Sequence, residues 1–100
     1  MAKHFYAAYS KHGILLQKGY TQFYQFNSKK ERDNWVKKND MKNGNVNNRA
    51  FPVTYSMVYS TIGKIIDGVK ILAWLRRFDS KGNIEICTYW GDWEKENDWD

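Results

Sequence analysis

Phe23-Tyr24-Gln25-Phe26-Asn27-Ser28-Lys29-Lys30-Glu31-Arg32-Asp33-Asn34-Trp35-Val36 carries an aromatic strand straight into a capped, cation-rich helix. Aromatics at 20, 23, 24 and 26 favour extended backbone, so a strand is predicted over 20–26. Ser28 and Glu31 have the spacing of a capping box. The Ser28 hydroxyl can accept from the N–H three residues on, and Glu31 can reach back to the Ser28 N–H. Asn27 is a competing cap one residue earlier. A helix is predicted over 28–38, with Asp33 four residues before Lys37 for a pair of about 0.3–0.5 kcal/mol. Trp35 and Val36, with Met41 beyond them, are its apolar anchors, so it lies on the surface by one narrow stripe.

Upstream, residues 4–10 read as a first strand, 11–13 as a turn, 14–17 as a short apolar strand and 18–19 as a second turn, which together make a meander. Downstream, 39–48 is rich in turn formers and reads as a loop. Pro52 biases Phe51 to extended backbone, so 49–53 is extended. Thr54 is a second N-cap. Tyr55, Val58, Tyr59 and Ile62 share one helical face, and a second helix is predicted over 55–66, ended by Asp67-Gly68. Residues 69–78 and 84–90 read as two strands around the turn 79–83. The predicted fold class is α+β: an antiparallel sheet built from the N-terminal meander and the C-terminal hairpin, with two helices.

One hundred residues make one domain, with a thin core. Hydrophobic residues are 42%, ordinary for a globular chain, and aromatics are 17%, which offsets the shortage of Leu and Val. A single cysteine, Cys87, excludes an intramolecular disulfide and points to a reducing, cytoplasmic setting. No apolar signal core opens the chain, and no run is long enough to span a membrane. The net charge of +5 is uneven: 92–100 hold five carboxylates and one lysine, −4, leaving +9 on the other 91 residues. Residues 1–91 are accordingly read as the folded domain and 92–100 as an acidic tail containing Trp93 and Trp99. A basic body is drawn to phosphate or to an acidic protein face.

Catalytic and metal chemistry find little support. His4, His12 and Cys87 have no ligand spacing, and the carboxylates of the tail lack the glycine and the bidentate glutamate of a calcium loop. No serine sits in a nucleophile elbow, no cysteine lies beside a histidine, and Gly63-Lys64 lacks the upstream glycine of a phosphate loop. Cys87 reads as a small buried hydrophobe. No cofactor, no metal and no catalytic residue is expected, and the chain is read as a non-enzyme. Cations with aromatics are the stronger signal. Lys29, Lys30, Arg32, Lys37 and Lys38 lie on the first helix, where Lys29 and Lys30 oppose the helix dipole at about 0.3–1 kcal/mol each. Arg76 and Arg77 follow Trp74 in a strand, one to each side of the sheet. These eight residues are the expected contact set.

The segment 24–36 also resembles small proteins of phages and mobile elements from gut-type bacteria. In these, a Phe-Tyr-Ala strand precedes an aromatic strand and a Ser-Lys-Lys-x-Arg-Asp-x-Trp-Val helix, here Ser28, Lys29, Lys30, Arg32, Asp33, Trp35 and Val36, with a later helix start at Val53-Thr54. The similarity covers about a third of the chain and excludes the C-terminal hairpin and tail. It carries no catalytic residues. It implies a setting in which such proteins inhibit host defence, anti-CRISPR proteins among them. The expected function is therefore a non-enzymatic anti-defence inhibitor in the host cytoplasm, bound to a host nuclease, defence protein or nucleoprotein complex. A direct nucleic-acid binder and a sponge for a signalling nucleotide are the alternatives. No membrane partner is expected, and the oligomeric state, a dimer included, is left open.

Overall fold

The computed structural model describes residues 4–10, 21–43 and 46–96. Its centre is β1 (Phe5–Ser10), flanked antiparallel by β2 (Thr21–Phe26) and β4 (Val46–Val53). β1 alternates, so Phe5, Ala7 and Tyr9 face one side of the sheet and Tyr6, Ala8 and Ser10 the other. Ala7 and Ala8 are both fully buried, which places small side chains where helices pack on either face. The strand expected at 14–17, with both of its turns, lies outside the described residues.

On the first face lies α1 (Lys29–Asn39). Ser28 is its N-cap, and the Ser28 hydroxyl accepts from the Glu31 N–H at 3.1 Å. The helix buries no residue fully. It rests on the sheet through Trp35 and Val36, against Ala7, Tyr24 and Phe26. The Trp35 ring lies 4.6 Å from Tyr24 and 5.5 Å from Phe26, each such pair adding about 0.5–1.5 kcal/mol. Asp33 pairs with its neighbour Arg32 at 2.9 Å rather than with Lys37. At the other end the Asp40 carboxylate accepts from Arg49 Nε at 2.6 Å and from the Ala50 N–H at 3.2 Å, fastening the helix end to β4.

The expected loop 39–48 is instead a hairpin: β3 (Met41–Asn43) pairs antiparallel with the start of β4. The register runs from Met41↔Asn48 to Asn43↔Val46. β3 stops opposite Asn48, so Pro52 stands where β4 is the sheet edge and its missing N–H breaks no ladder.

On the second face, α2 (Tyr55–Ile62) is capped by Thr54, whose hydroxyl accepts from the Met57 N–H at 3.2 Å. Val58 is fully buried among Tyr6, Ala8, Phe23, Val53, Leu75 and Cys87, with Met57 and Ile62 beside it. Tyr55 is half exposed and stacks on Tyr59, so the stripe expected through both tyrosines is turned toward Met57. The helix ends four residues earlier than the sequence suggests. Gly63–Ile66 form β5, which pairs with β6 (Val69–Leu72) in a separate two-stranded ribbon. Asp67 (φ 51) and Gly68 (φ 79) are both left-handed and make the turn of this ribbon, so Asp67-Gly68 closes a hairpin rather than a helix.

The strand expected over 69–78 is thus two strands in two sheets. β7 (Arg76–Phe78) and β8 (Ile84–Cys87) form the predicted C-terminal hairpin, closed by the Asp79 carboxylate, which accepts from the N–H groups of Lys81 and Asn83. After Cys87 the Thr88 hydroxyl accepts from the Trp90 and Asp92 N–H groups, and Trp93–Lys95, within the segment read as a tail, pair antiparallel with β8 as β9. The main sheet has the order β3-β4-β1-β2-β7-β8-β9 and is antiparallel except at β2–β7, which run parallel.

Candidate functional site

The four arginines and the lysines divide the work between them. Each arginine is in an ion pair: Arg32 with Asp33, Arg49 with Asp40, Arg76 with Glu96 and Arg77 with Glu85. Among the described residues no ion pair uses a lysine. Arg32 lies on the inner side of α1, largely buried over the Phe5 ring at 5.7 Å. Arg77 sits 4.1 Å over Trp93 on the α2 face of the sheet. Arg76 points to the opposite face, where it flanks Tyr24. Lys29, Lys30, Lys37 and Lys38 are exposed on α1. Three of them, with Asn34, form its outer face, and Lys37 and Lys38 complement the C-terminal end of the helix dipole. The eight residues expected as one contact set therefore stand in three places: four lysines on α1, Arg32 and Arg77 engaged in packing, and Trp74 with Arg76 beyond β2.

Trp74 occupies the break between β6 and β7. Its N–H donates to the Cys87 carbonyl at 2.8 Å, and the Cys87 N–H donates to the Leu75 carbonyl at 2.7 Å. Two residues thus face one across the ladder, the count of a β-bulge. Trp74 has φ 72, a left-handed position that usually goes to glycine and that costs a residue of this size about 1–3 kcal/mol. The bulge swings the indole against Tyr89. Their rings are 5.3 Å apart at 88°, and the indole N–H donates to the Tyr89 hydroxyl at 2.9 Å. The Lys64 ammonium lies 3.9 Å over the same tyrosine ring. Arg76 donates to the Trp74 carbonyl at 3.3 Å. Its Nε is 3.6 Å from Glu96, an ion-pair distance, yet it is buried without a hydrogen-bond partner.

These four side chains line a cleft of about 350 Å³ where β2 runs past the start of β7, with Gln22, Thr61 and Gly63 among its other walls. A hollow of about 250 Å³ at Gln25 and Arg77 is walled by Glu31, Asp79 and Glu85; among the described residues the larger cleft has no carboxylate on its walls. Comparison with known proteins finds no matching family model, no matching curated protein and no matching solved structure. The chemistry rests on the residues themselves.

Two groups with nucleophilic or acid–base potential, Cys87 and Glu85, are engaged in the fold. Cys87 is buried, and burial pushes its thiol pKa up, which keeps it protonated. Glu85 is held by Arg77 Nε at 3.0 Å. His12 lies outside the described residues. No helix among the described residues is long and apolar enough to cross a membrane. Sequence reasoning missed Lys64 and Tyr89, which stand far apart along the chain and meet through the ribbon; the signal for that ribbon was Gly63 followed by Asp67-Gly68. It also missed the ribbon's own apolar exposure, at Ile65 and Val69.

Proposed function

We propose that this chain is a non-enzymatic binding protein that docks the lysine face of α1 on an acidic macromolecular partner. In the setting implied by its resemblance to phage and mobile-element proteins, that partner is a host nuclease or nucleoprotein, and the protein acts in the host cytoplasm as an anti-defence inhibitor of the anti-CRISPR kind. One observation carries the reading: every arginine is in an ion pair, while Lys29, Lys30, Lys37 and Lys38 are exposed and have none among the described residues. The fold gains nothing from lysines in the first turn of a helix, where the dipole opposes them. A charged outer face on a rigidly seated helix suits surface recognition, with steering by long-range attraction.

The test is capture from lysates of bacteria carrying defence systems, with and without nuclease. The native chain is compared with a variant carrying Lys29→Glu, Lys30→Glu, Lys37→Glu and Lys38→Glu. A protein retained after nuclease treatment and lost with the variant is the expected result. Equal capture by both forms overturns the assignment of the face. Binding to naked nucleic acid that weakens with log salt at a slope of about −3.6, as four phosphate contacts require, replaces protein docking with direct nucleic-acid binding.

A further inference from the structure

We propose that the cleft between β2 and β7 is a second site, separate from the α1 face, for a small organic anion bearing a planar ring, of the mononucleotide class. Three features of the cleft point there together. Its volume, about 350 Å³, fits one such molecule and lies in the range of small-ligand sites. Among the described residues its walls carry two cations, Lys64 and Arg76, and no carboxylate. Lys64 is exposed and, among the described residues, meets the Tyr89 ring and no carboxylate, while the ion-pair partner of Arg76, Glu96, stands outside the cleft.

The aromatic part supplies the other half of the recognition. A tryptophan held at a left-handed position and tied by its N–H to Tyr89 gives two rings fixed at 88°, a rigid corner of two rings. A corner of this kind stacks a heterocycle with little ordering cost, because neither ring has freedom left to lose. The Lys64 ammonium sits above one of those rings, so a phosphate attached to the stacked heterocycle meets the cation without rearrangement. Gln22 and Thr61 line the same walls and offer neutral hydrogen-bonding groups to a sugar or a base edge. Gly63 fixes the approach of β5 to the cleft, since a side chain there would run into the Tyr59 carbonyl.

The test is a titration of the full chain, followed by amide and indole N–H chemical shifts, with adenosine 5′-monophosphate, uridine 5′-monophosphate, adenosine and inorganic phosphate. Saturable binding of at least one monophosphate is expected, with the Trp74 indole N–H and the Lys64 amide among the largest shifts. Adenosine and phosphate alone are each expected to bind about tenfold more weakly, because each lacks one half of the recognition. Lys64→Ala, an exposed substitution that leaves the core intact, is expected to weaken the monophosphate about tenfold. Lys81→Ala, on the distant 79–83 turn, is expected to leave it unchanged. The proposal is overturned if none of the four compounds saturates below about 10 mM, a threshold of ~2.7 kcal/mol. It is equally overturned if Lys64→Ala binds as the native chain does, or if phosphate alone matches the nucleotides.

Discussion

Replacing Trp74 with glycine and with alanine separates the cost of the backbone from the value of the indole. Both variants lose the ring, its contact with Tyr89 and its hydrogen bond; they differ by one methyl group. In ordinary extended backbone, glycine is the worse choice by about 0.5–1 kcal/mol, because it has more freedom to lose on folding. Trp74 has φ 72, where a Cβ crowds the following carbonyl and costs about 1–2 kcal/mol. The order should therefore invert, with Trp74→Gly more stable than Trp74→Ala by about 0.5–1 kcal/mol. Against the native chain, loss of a half-buried tryptophan is offset in the glycine variant by relief of the bulge. Urea denaturation monitored by far-UV circular dichroism measures the difference, and about 4–8 °C in Tm per kcal/mol gives an independent check. Alanine equal to or better than glycine would refute the strain argument, and with it the view that the left-handed position is held for the sake of the side chain's placement.

Gly63→Ala should be severely destabilising, by about 2–4 kcal/mol, because the new Cβ meets the Tyr59 carbonyl, which also accepts the Gly63 N–H; Gly68→Ala, with open space but φ 79, should cost about 1 kcal/mol, and thermal melting ranks the two. Lys29→Glu with Lys30→Glu should raise Tm, since the dipole then favours the first turn; a fall in Tm shows that those lysines serve the fold. Cys87 should resist Ellman's reagent until the chain unfolds. Its folded thiol pKa is raised by burial, so the stability linked to it is complete below the unfolded thiol pKa of about 8.5 and declines as pH rises above it. Asp79 is the converse: the Asn83 and Lys81 N–H groups lower its pKa, so its contribution holds above the ordinary carboxylate value and is lost as pH falls through the folded one, and Asp79→Ala should flatten the acid limb of a pH–stability curve.

The sequence is most legible where the determining contacts are local. Ser28 reaches the Glu31 N–H three residues on, and Thr54 reaches Met57 by the same step, so both helix starts follow from short-range chemistry. The end of α2 was hidden because Gly63-Lys64-Ile65-Ile66 fits a fraying helix as well as a strand; its partner in β6 decides the matter. The asparagines of 39–48 read as loop because turn composition outweighs pairing when the partner strand is not yet known. Nothing around Trp74 announces a left-handed tryptophan. The conformation is imposed by Cys87 across the ladder, and Lys64 and Tyr89 become neighbours only once that strand is in place. The lysines of α1 were legible as a set, but which of the cations would be consumed by packing was not, since Arg32 and Arg77 are recruited by Phe5 and Trp93 from other strands.

The parallel junction between β2 and β7 rests on two register pairs, Tyr24↔Arg76 and Gln25↔Arg77. Across that seam the main sheet is two ladders, β3-β4-β1-β2 and β7-β8-β9, stitched mainly by side chains: Tyr24 stacks on Phe78 at 5.6 Å on one face, and Phe23 shares a cluster with Leu75 on the other. A boundary with so little backbone pairing is where a cooperative unit ends. Amide exchange in β7–β9 should therefore run ahead of exchange in β1. A transient opening there bares two complementary strand edges, one on each ladder, each a row of unpaired backbone groups ready to accept another strand.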